Sequence, residues 1–103
     1  MITAVVTFKI PRGTTREQWM ENIKPIATRF QSIPGLIRKQ FLYSDDGIAG
    51  GVYLWETREA AEACYRGPWL DNVRKISGAD PDIAWFDTPI VVDNASRQIE
   101  IAA

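Results

Sequence analysis

Residues 36–56 read LIRKQFLYSDDGIAGGVYLWE, and this stretch decides the fold. Two apolar, aromatic-rich runs flank the turn residues Ser44, Asp45, Asp46 and Gly47. Phe41, Leu42, Tyr43, Val52, Tyr53, Leu54 and Trp55 suit a pleated surface that is at least half buried. Asp-Gly between two such runs is a strong hairpin signal. Two antiparallel strands are therefore expected, roughly Leu36 to Ser44 and Ile48 to Glu56. Gly50 and Gly51 are costly inside a strand. They point to a bulge, or to close approach by another backbone or a ligand.

On the N-terminal side, Ile2 to Ile10 reads as a first strand ended by Pro11 and Gly13. Thr14-Thr15-Arg16-Glu17 fits a capping box in which the Thr14 hydroxyl accepts from the N–H of Glu17. A helix to about Gln31 follows, with Trp19, Ile23, Ile26 and Phe30 on one face. Pro25 removes one hydrogen bond and is expected to bend it. On the C-terminal side, Thr57 is the expected cap of a short alanine-rich helix, Arg58 to Arg66. Its small residues would let it lie close to the sheet. A second short helix, Trp69 to Ile76, ends at Gly78. Pro81 to Val92 reads as the last long strand, with Pro89 marking an edge or a bulge. Residues 94–103 form a tail in which Ile99 and Ile101 alternate with polar neighbours.

The order is β-α-β-β-α-β, which predicts an α+β, ferredoxin-like domain over residues 1–93, with an antiparallel sheet and helices on one face. The hairpin strands lack a polar alternate face, so both faces are expected to be buried. One domain of 103 residues offers nothing large enough to cover the second face. A second copy in a two-fold homodimer is the expected cover, and the tail 94–103 is expected to contact it.

Composition narrows the function. Twelve Lys and Arg balance thirteen Asp and Glu, a net charge of −1, and the basic residues are scattered. That pattern does not suit nucleic acid. No apolar run reaches the length of a membrane span. With no secretory leader visible and Cys64 the one cysteine, a cytoplasmic protein is expected. There is no histidine, which removes the commonest acid/base group and the commonest metal and haem ligand. Asp45 and Asp46 are explained by turn chemistry, so no metal site is expected. No nucleophile–base set and no phosphate-binding glycine loop can be assembled.

Certain residues carry a family resemblance. They are Lys24-Pro25 with Ala27, Pro34-Gly35, Ala49-Gly50-Gly51-Val52-Tyr53-Leu54 and Phe86-Asp87. In that order the chain resembles the small YdhR-like monooxygenases of the antibiotic-biosynthesis-monooxygenase-like superfamily of dimeric α/β-barrel proteins. The resemblance implies a homodimer with a hydrophobic pocket between sheet and helices in each subunit. It also implies a cofactor-independent monooxygenase that oxidises a small aromatic or polyketide-like substrate. A non-catalytic small-molecule binding protein, or an isomerase or cyclase on the same scaffold, is the alternative.

Candidate site residues each have two readings. Tyr53 and Trp55 share a strand face with Gly51. They either line a pocket for a flat ring, with Gly51 leaving room, or pack as core. Trp69 and Trp85 pose the same choice. Arg38 and Lys39 fall on opposite faces of the second strand. One of them is expected to stabilise a phenolate or enolate, and Lys39 reads more readily as a solvated strand end. Asn72 and Asn22 are either donors to a bound oxygen or surface positions. Asp87, beside a matched motif, is the candidate carboxylate base. Arg38, Tyr53, Asn72 and Asp87 are thus the expected polar set, with Gly51, Trp55, Trp69 and Trp85 around the substrate. Cys64 reads as a small buried apolar residue.

Overall fold

The structure, a computed structural model, describes residues 1–102. Four strands form an antiparallel sheet: β1 (Ile2–Lys9), β2 (Leu36–Ser44), β3 (Ile48–Trp55) and β4 (Asp82–Asp87), in the order β2-β3-β1-β4. Helices α1 (Arg16–Ala27), α2 (Arg58–Cys64) and α3 (Gly67–Ser77) complete an α+β, ferredoxin-like fold. The hairpin forms over the expected residues, with Tyr43 opposite Ala49 and Ser44 opposite Ile48. Residues of β3 alternate from Gly51 onward: Gly51, Tyr53 and Trp55 are buried, while Val52 and Leu54 are half-buried, and Ala49 and Gly50 before them are both buried. Ala4 and Val6 of β1 continue the buried face through their pairing with Tyr53 and Gly51.

Gly50 answers to backbone, not to a ligand. A Cβ there would collide with the Val6 carbonyl of the neighbouring strand. Small residues also set the position of α2, as expected. Ala61 is fully buried, and a Cβ on Gly35 would come within 2.6 Å of the Ala60 Cβ. Gly78 ends α3 in the left-handed conformation at φ 76°.

Three local expectations are corrected. The cap of α1 is Thr15, one residue later than expected: its hydroxyl accepts from Gln18 N and the Gln18 side chain returns to Thr15 N. Thr14 is occupied in closing the turn, where its hydroxyl donates to the Pro11 carbonyl at 2.6 Å. Secondly, α1 stops at Ala27, and a 3-10 turn, Thr28–Ser32, carries the chain on. Pro25 has already withdrawn one donor from the α ladder. Thirdly, the last long strand is two strands. Thr88 N donates to the Met1 carbonyl at 2.9 Å and closes the main sheet. Pro89 has no N–H to continue the ladder. Its carbonyl instead accepts from Ala102 N at 2.9 Å, so β5 (Ile90–Asp93) pairs with β6 (Gln98–Ile101) in a separate ribbon. The expected tail ends at Ala103, which lies outside the described residues.

The helices cover one face of the sheet. The other face carries Val5, Leu42, Ile48, Val52, Leu54, Ala84 and Phe86 by the strand alternation, and no helix packs on it. Among the described residues no helix is long and apolar enough to cross a membrane.

Candidate functional site

The helix-covered face gathers an aromatic cluster. Tyr53 and Trp55 stack with centroids 5.9 Å apart and planes within 7°. Tyr65, just past α2, meets both edge-on, and also Trp69 at 4.6 Å and Trp85 at 5.8 Å. Two hydrogen bonds lock the rings: Trp55 Nε1 donates to Tyr65 Oη at 3.0 Å and Trp69 Nε1 to Tyr53 Oη at 3.2 Å. Burial pushes both phenols above their ordinary range, so both stay protonated through neutral pH.

Tyr53 and Trp55 therefore share a face with Gly51, as the strand spacing suggested, and Trp69 and Trp85 join them through Tyr65. The other polar candidates do not join them. Arg38 lies on the opposite face of β2, where its guanidinium is 3.9 Å from the Asp93 carboxylate. Asn72 is exposed on α3, Asp87 is exposed at the end of β4, and Asn22 is exposed on α1.

Lys39 takes the place expected for Arg38, and the solvated reading of Lys39 is overturned. It sits opposite Tyr53 in the β2–β3 register, on the covered face with Phe41 and Tyr43. Its Nζ is 3.4 Å from the Phe30 ring centroid, 3.8 Å from Phe41 and 4.5 Å from Tyr53. Gly51 leaves room for this, because a Cβ there would lie 3.1 Å from both Lys39 Cε and Tyr53 Cε1, closer than ordinary contact. Burial pulls the amine from 10.5 down to about 7, while the neighbouring Cys64 thiol works the other way. The three ring faces also favour the cation and oppose the burial effect. Cys64, half-buried, has its thiol pushed up by burial and pulled back by Lys39.

Beside the cluster runs a cleft of about 510 Å³ between α1 and the edge strand β2. Trp19, Met20, Ile23, Phe41 and Tyr43 give it apolar walls, with Arg16 and Lys24 also on the lining. Phe41 belongs to both the cleft and the ring set around Lys39. Trp19 is 5% exposed and its Nε1 is a buried donor without a partner. The Tyr43 hydroxyl is already taken, donating to the Thr14 carbonyl at 2.7 Å. The sequence reading weighed Lys39 but favoured a solvated strand end for it, and it did not single out Phe30 or Tyr65 for the site. The available signal was the period-two alternation Lys39, Phe41, Tyr43 set against glycine at position 51. Among the described residues no three Cys, Asp or Glu side chains come together to hold a metal ion.

Solved structures with the same arrangement define the class of fold. A monooxygenase from the gene ActVA-Orf6 of Streptomyces coelicolor, in complex with nanaomycin D, is 18% identical at TM-score 0.61, covering 84% of this chain and 86% of that one. An antibiotic biosynthesis monooxygenase described as putative, from Caulobacter crescentus, is 16% identical at TM-score 0.63, covering 84% and 88%. A protein of unknown function from Nitrosomonas europaea, NE2512, is 13% identical at TM-score 0.63, covering 82% and 85%. The fold is that of the antibiotic biosynthesis monooxygenases. Within it, the chain belongs to the family described as "Putative mono-oxygenase ydhR", whose model matches residues 4–78, more than half of its length. No curated protein matches the chain.

Proposed function

We propose that this protein is a cofactor-independent monooxygenase that oxidises a small aromatic or polyketide-like phenol held in the cleft between α1 and β2. The observation that carries this reading is the cleft itself: about 510 Å³, with walls that include Trp19, Phe41 and Tyr43. Family membership supports the reaction class, and the Streptomyces coelicolor protein of the same fold holds nanaomycin D. In the reaction, the phenol loses its proton and the phenolate passes one electron to dioxygen. Superoxide and the ring radical combine at a ring carbon. The O–O bond of the resulting peroxide then breaks, leaving a quinone-type carbonyl and releasing water. The protein supplies a dry, apolar enclosure and a polar group that steadies the anion. Of the sequence candidates Arg38, Tyr53, Asn72 and Asp87, Tyr53 is the one buried in the aromatic cluster, opposite Lys39, whose ring neighbour Phe41 lines the cleft.

The test is oxygen uptake with a panel of quinols and phenols. Substrate-saturable uptake is expected, falling at least about tenfold in Ala27→Trp, which fills the cleft. A ligand that quenches tryptophan saturably yet is recovered unchanged would instead identify a binding protein. Product formed under nitrogen would identify an isomerase or cyclase.

We infer that the working form is a homodimer joined through the uncovered sheet face, closing the dimeric α/β barrel. Phe86 on that face is 56% exposed in the single chain. Ile90, Val92, Ile99 and Ile101 form a further exposed apolar face on the ribbon. Sedimentation is expected to give twice the chain mass at micromolar concentration, and deletion of residues 94–103 is expected to loosen the pair. A stable monomer would contradict this. We place the protein in the cytoplasm, since Cys64 is its one cysteine and is free.

A further inference from the structure

A chain without histidine lacks the usual base near neutral pH. The aromatic cluster offers a different one. Its polar groups are donors in excess of acceptors. Tyr53 Oη and Tyr65 Oη each accept an indole N–H, so the proton of each phenol must be directed elsewhere. Among the described residues neither phenol proton nor Lys39 Nζ meets an acceptor. Donors left without acceptors in such surroundings favour an oxygen anion as a ligand. Lys39 Nζ is not sealed in. Trp19 Nε1 is the one fully buried side-chain donor without a partner among the described residues, so the lysine amine keeps an opening. The surroundings are built to take the lysine: Gly51 clears space for its stem, and Phe30, Phe41 and Tyr53 surround its tip.

We propose that Lys39 is the base of this site: its neutral amine takes the proton of a bound phenol or enol, and the resulting ammonium holds the oxyanion beside Tyr53. This rests on the reading of the cleft as a phenol site, which Phe41 joins to the amine. In the step, the substrate O–H bond breaks and an N–H bond forms at Nζ. The products are a phenolate and an ammonium in contact, with no net change of charge. The titratable groups facing the amine are Tyr53 from β3 and Cys64 from α2. The 3-10 turn and β2 present the uncharged rings of Phe30 and Phe41. Only the thiol acts appreciably on the lysine charge, and no carboxylate pairs with it among the described residues. An amine poised near neutrality is suited to both halves of the task.

The probe is 4-nitrophenol, whose yellow anion reports its own charge. It is titrated into the protein at a pH about one unit below its free midpoint, where roughly a tenth is ionised. Tryptophan quenching reports binding and the yellow absorption reports proton loss. Wild type is expected to bind the dye mostly as the anion, and Lys39→Met to bind it mostly neutral. Saturable quenching with the dye left neutral in wild type overturns the role of Lys39 and leaves the cleft reading standing. Ionisation of the dye by Lys39→Met as complete as that by wild type overturns that role in the same way. No saturable quenching removes the phenol-site reading itself, and this inference with it.

Discussion

Trp55→Ala is expected to cost about 3–5 kcal/mol of stability, the range for removing a large aromatic from a packed core. Trp55 is fully buried, and its indole stacks on Tyr53 and meets Tyr65 edge-on at 5.7 Å. Its N–H is also the donor to Tyr65 Oη. Truncation therefore opens a cavity beneath two other rings and deprives a buried phenol of its partner. Trp55→Phe keeps a ring in the stack and loses the donor, so a smaller loss of about 1–3 kcal/mol is expected. Set against a typical domain stability of about 5–15 kcal/mol, the alanine variant comes close to unfolding the protein. Urea denaturation followed by circular dichroism measures both. A loss below about 1 kcal/mol for Trp55→Ala would show that this ring is not the centre of the core.

The second large effect is on the pH dependence of stability. Burial lowers the Lys39 amine from 10.5 to about 7 in the folded protein. Below about pH 7 both folded and unfolded chains hold this proton, and the penalty of burying the cation is present in full. Above about pH 7 the folded chain has released a proton that the unfolded chain still binds, so stability rises with pH until 10.5. The phenols of Tyr53 and Tyr65 and the Cys64 thiol act in the opposite sense, because burial raises them. They erode stability once their unfolded counterparts ionise, so the clean window lies between neutrality and the onset of thiol ionisation. Lys39→Met keeps the length and apolar stem and removes the charge. It is expected to be more stable than wild type in mild acid, by on the order of a few kcal/mol, and to show no rise across that window. The difference between the two proteins cancels most of the tyrosine contribution. A wild-type curve parallel to that of Lys39→Met from mild acid to neutral pH and beyond would mean that the amine is not desolvated.

The oxygen-uptake and dye experiments then separate two properties of Lys39. An amine buried among rings is unstable as a cation when the site is empty. With a phenolate beside it, the same cation has a partner. The stability lost in the empty protein is thus the property that makes Lys39 a proton acceptor near neutral pH.

The hairpin, the strand order and the helical faces were all legible in the sequence, because they depend on local chemistry. Asp-Gly sets a turn, alternation sets a sheet face, and alanine sets how near a helix lies. The grouping of Tyr53, Gly51 and Trp55 followed from the same periodicity, while Trp69 and Trp85 came as further aromatic candidates on other elements. Errors came where two local signals competed. Thr14 and Thr15 are both able to cap, and the turn hydrogen bond to Pro11 decided between them. Pro89 read as an imperfection in one strand, and its missing N–H instead passed the chain to a second ribbon.

Which of two adjacent cations enters the site lay beyond the sequence. Arg38 and Lys39 differ by one position, and strand alternation states only that they face opposite ways. The outcome depends on register, because Lys39 falls opposite Tyr53 and beside the space left by Gly51. It also depends on Phe30, whose ring arrives from a 3-10 turn earlier in the chain to complete the surround. The sequence by itself therefore determined a β-α-β-β-α-β sheet with an aromatic hairpin at its centre. Only the tertiary structure decided that a lysine lies among those aromatics, since desolvation of an amine is a sum over groups that meet only when the chain has folded.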